Sequence, residues 1–164
     1  MQLRTLPFDH PDAQRLIAEV QQEYVVRYGG QDHTPTDPAQ FVPPRGVFVV
    51  GYVGGEAVAC GGWRARDGDE PDFHDGDAEI KRMYVVPAAR GRGLSRELLV
   101  DLERRAMDAG RRRIVLETGI KQPEALRLYA SAGYTRIPNF GVFRCEPNSR
   151  CFAKALPVSA ARPV

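Results

Sequence analysis

The 164-residue chain is the length of one domain with a single good core. It is 43% hydrophobic and 27% charged, a soluble balance, and no apolar run approaches the length of a membrane span. A net charge of +2 gives no footing for nucleic acid as a partner. Cys60, Cys145 and Cys151 are odd in number and lack C-x-x-C spacing, and His10, His33 and His74 are scattered, so neither a disulfide framework nor a metal site is expected. With no signal-peptide pattern in Met-Gln-Leu-Arg, a reducing cytoplasm is the expected compartment.

Alternation over Gln2–Leu6 predicts a first strand. Phe8-Asp9-His10-Pro11 then opens a helix, with Asp9 as the expected N-cap and Phe8 stapling against Ala13. Ala13, Leu16, Ile17, Val20 and Tyr24 mark its buried face, and Gly29-Gly30 stops it. Gln31–Arg45 is rich in Pro, Asp and Thr. It reads as a long loop with one helical turn near Pro38–Phe41, of a length that often serves as a substrate lid.

Val47–Val53 and Glu56–Trp63 are strands joined by the two-residue turn Gly54-Gly55; Trp63 lines a substrate cleft or belongs to the core, and the core is the favoured reading. Arg66–Gly76 is an acidic connection. Ala78–Val86 is a strand ending at Pro87. Leu94, Leu98, Leu102 and Ala106 predict a helix closed by Gly110. Arg113–Thr118 is a buried strand, Pro123 begins a helix stopped by Gly133, and Tyr134–Ile137 and Ser149–Leu156 are the last strands. Strand–helix–strand units after residue 78 predict parallel pairing there, and the hairpin before it predicts antiparallel pairing. The expected fold is one α/β domain, a mixed sheet with helices on both faces.

Charge is unevenly spread. Asp67, Asp69, Glu70, Asp72, Asp75, Asp77 and Glu79 crowd one stretch, and Lys81, Arg82, Arg90, Arg92, Arg96, Arg104, Arg105 and Arg111–Arg113 crowd the next. Two readings stand: solvated faces, or an acidic rim for a cationic substrate beside a basic rim for a polyphosphate.

The run Val85-Val86-Pro87-Ala88-Ala89-Arg90-Gly91-Arg92-Gly93-Leu94-Ser95 joins a strand to a helix and carries small residues among arginines. Main-chain N–H groups at such a helix start cradle a phosphate. A Walker loop would need Lys-Ser/Thr, and a dinucleotide fingerprint would need glycine where Arg96 stands. What remains is Arg90-x-x-Gly93-x-Ser95, followed downstream by Leu128-Tyr129-Ala130-Ser131-Ala132-Gly133-Tyr134. These two motifs, in this order, resemble the GNAT superfamily of N-acetyltransferases. The likeness runs from about Val47 onward and is strongest over Glu79–Tyr134. Ser95 departs from the family's usual Gly or Ala but is still small.

The resemblance implies a single acetyltransferase domain over residues 1–164, its sheet mostly antiparallel and splayed between the fourth and fifth strands, with acetyl-CoA as co-substrate and no metal. Arg90, Gly91, Arg92, Gly93, Leu94, Ser95 and Arg96 would surround the diphosphate with amides, Met83, Tyr84 and Val85 would pair with the pantetheine, and Gln122 would contact it through its amide. Acetyl transfer needs a deprotonated amine, because an alkylammonium titrates near pH ~10.4. It also needs a polarised carbonyl and a proton for the departing thiolate. By family position Glu79 is the candidate base and Tyr129 the candidate acid, with Glu117 the reserve base and a main-chain N–H near Met83 polarising the carbonyl. A surface pairing of Glu79 with Lys81 or Arg113, and a packing role for Tyr129, are the alternatives. Tyr24, Tyr28, Asp32, His33 and 139–143 fall where acceptor pockets form. The implied activity is transfer to a primary amine by direct attack, since no Cys–His spacing suggests an acyl-enzyme. A non-catalytic acyl-CoA-binding module and a different acyl donor are the rivals, and homodimers through an exposed strand are the analogy for assembly.

Overall fold

The computed structural model describes residues 1–68 and 70–158. Asp69 and the end of the chain lie outside them. Seven strands and three helices follow in the order β1 (Gln2–Thr5), α1 (Pro11–Tyr28), β2 (Gly46–Val53), β3 (Glu56–Ala65), β4 (Asp77–Val85), α2 (Leu94–Asp108), β5 (Arg113–Gly119), α3 (Pro123–Ser131), β6 (Thr135–Ile137) and β7 (Ser149–Ala155). The sheet order is β1-β2-β3-β4-β5-β7-β6. Among the described residues only β4 and β5 pair in parallel; every other neighbouring pair is antiparallel. The parallel pairing expected after residue 78 is therefore realised once. β7 inserts between β5 and β6 and converts the second unit into two antiparallel ladders.

The two faces of β2 show why the strand carries helices on both sides. Val47 and Val49 join the cluster around Leu98, Leu99 and Leu102 of α2. Phe48 and Val50 join Leu16, Ile17 and Val20 of α1. Successive side chains of a strand point to opposite faces, so a strand apolar at every position must be covered twice. Each fully buried leucine of α2 contributes about 1.5–3 kcal/mol of apolar transfer. Trp63 lies in the α2-side core at 1% exposure, the favoured reading.

One local expectation is corrected. His10, not Asp9, caps α1: its Nδ1 accepts from the Asp12 amide at 3.2 Å. Pro11 occupies the first turn, where a missing N–H costs nothing, so the cap moves one residue toward the helix. Phe8 stacks on Phe41 and meets Phe48 edge-on, tying the loop's helical turn (Pro38–Phe41) to the α1 face.

Two irregularities shape the middle of the sheet. Between Cys60 and Gly62 the β3–β4 register slips, so Arg82 and Met83 of β4 together oppose Gly61. Arg82 sits at φ 57°, in the left-handed region that a residue with a Cβ enters at a cost. The β4–β5 ladder is short: it joins Asp77 to Arg113, Ala78 to Ile114 and Glu79 to Val115, and no further. Beyond Glu79, β4 pairs only with β3, and beyond Val115, β5 pairs only with β7. A bulge bends and twists its strand, and here it falls where β4 leaves β5.

Candidate active site

The parted strands open a cavity of about 550 Å³. Ile80, Arg82 and Met83 line it from β4, Leu116, Glu117, Thr118 and Gly119 from β5, Tyr24 and Tyr28 from α1, and Gln122 and Tyr129 from α3 and its entry. The loop at 30–34 and the segment 142–149 close its outer walls. A second cavity of about 190 Å³ shares Met83, Gln122, Ala125 and Tyr129 with the first. It continues along β4 to Tyr84 and Val85 and ends at Arg90, Gly91, Gly93, Leu94 and Ser95. The result is one trough along the free edge of β4, with a chamber at one end and the glycine turn at the other.

The turn is built to receive an anion. Gly91 and Gly93 have φ of 74° and 76°, and a Cβ built on either would meet nothing within 4 Å, so the concave side is open. Gly93 is the N-cap of α2 and supplies no side-chain cap, which leaves the first amides of the helix without a partner of that kind. Among the described residues, the amides of Gly91, Arg92 and Gly93 likewise donate to no other group. Amides around a helix start, with the positive end of the helix dipole behind them, favour a diphosphate. Arg90 is held at the rim: its Nε donates to the Val85 carbonyl at 2.9 Å and its Nη2 pairs with Glu23 at 2.7 Å. Nine of the cofactor residues expected from sequence (Met83, Tyr84, Val85, Arg90, Gly91, Gly93, Leu94, Ser95 and Gln122) line the smaller cavity. Arg92 and Arg96 do not. Both are exposed, and Arg96 bonds the Ser131 hydroxyl.

The two carboxylates singled out from sequence sit in different places. Glu79 is 2% exposed, bonds Arg64 Nε at 2.9 Å, and lies 3.6 Å from Arg66 and 3.9 Å from Lys81. It faces a separate small cavity behind 141–143 rather than the chamber. It is not the surface carboxylate of the alternative reading, and Arg64 rather than Lys81 or Arg113 is its nearest partner. Arg113 instead pairs with Asp77 at 2.6 Å. Glu117 lines the chamber. Burial pushes its carboxyl up to about 7; the Ser149 hydroxyl and Lys81 pull against burial, while Asp32 and Glu79 push with it.

Tyr129 reaches across the gap, its hydroxyl 4.0 Å from the Met83 sulfur, and its ring rests edge-on against Tyr134. Burial, and then Glu117, raise its phenol well above the usual range, so it stays protonated and able to donate. The ends of α1 and β5 lock together at the chamber's side. A Cβ on Gly119 would collide with the Tyr28 hydroxyl at 1.9 Å, so only glycine admits this approach, and that hydroxyl accepts from the Lys121 amide at 3.1 Å. Arg82 had no sequence signal to set it apart from the other basic residues, because its place in the chamber wall depends on the bulge. Asp32, expected in the acceptor pocket, lies in the chamber wall beside it.

The fold matches that of known acyl-group transferases. A solved structure from Klebsiella pneumoniae subsp. pneumoniae superposes with a TM-score of 0.75 at 27% identity, covering 94% of this chain and 97% of that one. The GNAT-family acetyltransferase of Staphylococcus aureus shares the fold at a TM-score of 0.72 and 14% identity, over 95% of this chain and all of that one. The mixed sheet with its parallel β4–β5 pair is the fold of these structures. The chain belongs to the acetyltransferase (GNAT) family, whose model matches residues 13–134. It is 31% identical to the IAA acetyltransferase of Azospirillum brasilense over 87% of this chain and 89% of that protein. It is 32% identical to the uncharacterized N-acetyltransferase YjgM of Escherichia coli (strain K12), over 79% of this chain and 78% of that one. No helix among the described residues is long and apolar enough to cross a membrane.

Proposed function

We propose that this protein transfers the acetyl group of acetyl-CoA to a primary amine by direct attack within a ternary complex. The observation that carries the reading is the end of the β4–β5 ladder at Glu79 and Val115, which leaves one trough running from the amide-lined turn to a chamber holding Glu117 and Tyr129.

The diphosphate rests on the turn at Arg90–Ser95, and the pantetheine follows the free edge of β4 at Met83–Val85, adding hydrogen bonds as a strand would. The thioester then reaches the chamber near Met83. Glu117 takes the proton of the incoming ammonium. A carboxylate titrating near 7 is matched to this task, being ionised in half the molecules at neutral pH yet basic enough to accept. Glu117 is preferred to Glu79 because Glu79 is saturated by arginines and faces another cavity. The freed amine attacks the thioester carbonyl, main-chain N–H near Met83 stabilises the oxygen as charge builds, and the carbon–sulfur bond breaks as the tetrahedral intermediate collapses. Tyr129 protonates the departing thiolate, the acetylated nitrogen gives up its second proton to restore the Tyr129 phenol, and Glu117 passes the first proton to solvent.

Direct attack is supported over an acyl-enzyme by the cysteines. Cys60 and Cys151 are buried, burial raising the first thiol far above its usual value and pushing the second up to about 12. Neither they nor Cys145 lines the trough. A protonated buried thiol is a poor nucleophile. Three free cysteines also fit a reducing cytoplasm.

The test is release of free coenzyme A thiol from acetyl-CoA across a panel of primary amines. Amine-dependent release supports the reading. Tight acetyl-CoA binding without release for any amine would favour a non-catalytic binding module instead.

A further inference from the structure

Resting on the acetyl-transfer reading above, we infer that the acceptor is a small amine that also carries a carboxylate, and that Arg82 receives that carboxylate in the chamber wall. Arg82 lines the chamber although its side chain is only 4% exposed. A guanidinium has five N–H donors. Nη1 serves the Asp32 carboxylate, Nη2 reaches the Asp32 carbonyl only at 3.5 Å, and buried Nε has no acceptor among the described residues. A buried donor left without an acceptor is costly, and a carboxylate meets a guanidinium with charge-assisted bonds about twice as strong as those a neutral acceptor makes.

Asp32 cannot itself anchor a cationic acceptor. Its carboxylate already accepts from the Thr34 amide at 2.8 Å, from the Thr34 hydroxyl, from Arg82, and from Lys81 at 3.5 Å, which fills its four lone-pair sites. Burial opposes its ionisation, but Lys81 and Arg82 outweigh burial and hold the acid well below the usual range. Lys81 has one other carboxylate within reach, Glu79 at 3.9 Å, and that group is held more closely by Arg64. Arg64, Arg66, Lys81 and Arg82 thus face Asp32, Glu79 and Glu70, four cations against three anions. With Glu117 ionised the wall is balanced, and an ammonium substrate then adds one positive charge. A carboxylate on the same substrate restores neutrality; a polyamine adds more charge still.

The acidic stretch read from sequence as a rim for cations does not compensate. Asp67 is paired with Arg111, Asp72 with Arg144, and Asp77 with Arg113. Beside Glu117 and Arg82 the chamber lining includes Ile80, Leu116, Tyr24 and Phe143, which suit an apolar body. An apolar amino acid has this distribution of groups.

The experiment separates binding from turnover. Calorimetry on the full chain compares phenylacetate, 3-phenylpropanoate and 4-phenylbutanoate, which have no amine to acetylate, with their uncharged amides. At least one acid should bind about tenfold or more tightly than its amide. Arg82→Gln should bring that acid to the level of the amide, and Asp32→Asn should tighten it, because two cations then lack their counter-charge. A merely structural role for either residue would weaken binding in both variants, so weaker binding in Asp32→Asn overturns the inference even if Arg82→Gln fails to fold. Acids and amides binding alike also overturns it. Acetyl transfer is read separately on apolar amino acids and their amides. Absence of transfer to any amine sinks the reaction but not the carboxylate site, whereas amides acetylated as fast as the acids sink the carboxylate site but not the reaction.

Discussion

The Tyr129 hydroxyl of α3 lies 4.0 Å from the Met83 sulfur of β4, bridging the gap that opens where β4 and β5 part. Met83 follows the bulge at Arg82, and Tyr129 is buried against Tyr134. The phenol is therefore fixed by packing, and its proton meets only the Met83 sulfur, a weak acceptor. A group poised to protonate a sulfur leaving group needs this combination of fixed position and weakly held proton.

Tyr129→Phe keeps the ring and its packing and removes only the proton. We expect kcat to fall by about 10²-fold, with KM for acetyl-CoA nearly unchanged, as befits an interaction made only in the transition state. Steady-state kinetics at saturating acetyl-CoA checks this, and an unchanged kcat would leave Tyr129 a packing residue.

Glu117→Gln should lower kcat/KM by about 10²–10⁴-fold. In the wild type, kcat/KM should rise with pH through about 7, as Glu117 loses its proton, and the variant should lack that rise. Glu79→Gln is the control. It breaks a buried ion pair with Arg64, which costs about 3–5 kcal/mol of stability. The pH profile of its surviving activity should keep the wild-type shape. If Glu79→Gln flattened the profile and Glu117→Gln did not, the two assignments would exchange.

The same carboxyl links stability to pH. Burial raises Glu117 from 4.5 to about 7 in the folded chain, so the folded state binds its proton more tightly than the unfolded state does. Between these values the unfolded chain has released the proton and the folded chain still holds it, and stability must fall as pH rises. Its contribution is fully present below about 4.5 and lost above about 7. Denaturant melts across this window should show a shallower decline in Glu117→Gln than in the wild type.

Gly93→Val places a β-branched side chain at φ 76°, a strain of about 1–3 kcal/mol, and crowds the side of the turn that is now open. Coenzyme A affinity should drop at least tenfold by calorimetry. Wild-type affinity would mean that the diphosphate docks elsewhere.

What the sequence determined alone was local or periodic. The α2 stripe of Leu94, Leu98, Leu102 and Ala106, the Gly54-Gly55 turn and the glycine run at 90–95 all declare themselves within a few residues, because helix period, turn chemistry and amide exposure depend on near neighbours. Nine of the residues that the resemblance assigned to the cofactor line one cavity. Tertiary structure decided which carboxylate faces the chamber. Glu79 and Glu117 are both acidic strand residues, and only the end of the β4–β5 ladder, with Arg64 closing over one and not the other, tells them apart. The place of β7 between β5 and β6, and the bulge that turns Arg82 to the chamber wall, are likewise set by pairings between residues far apart in the chain, which no local pattern encodes.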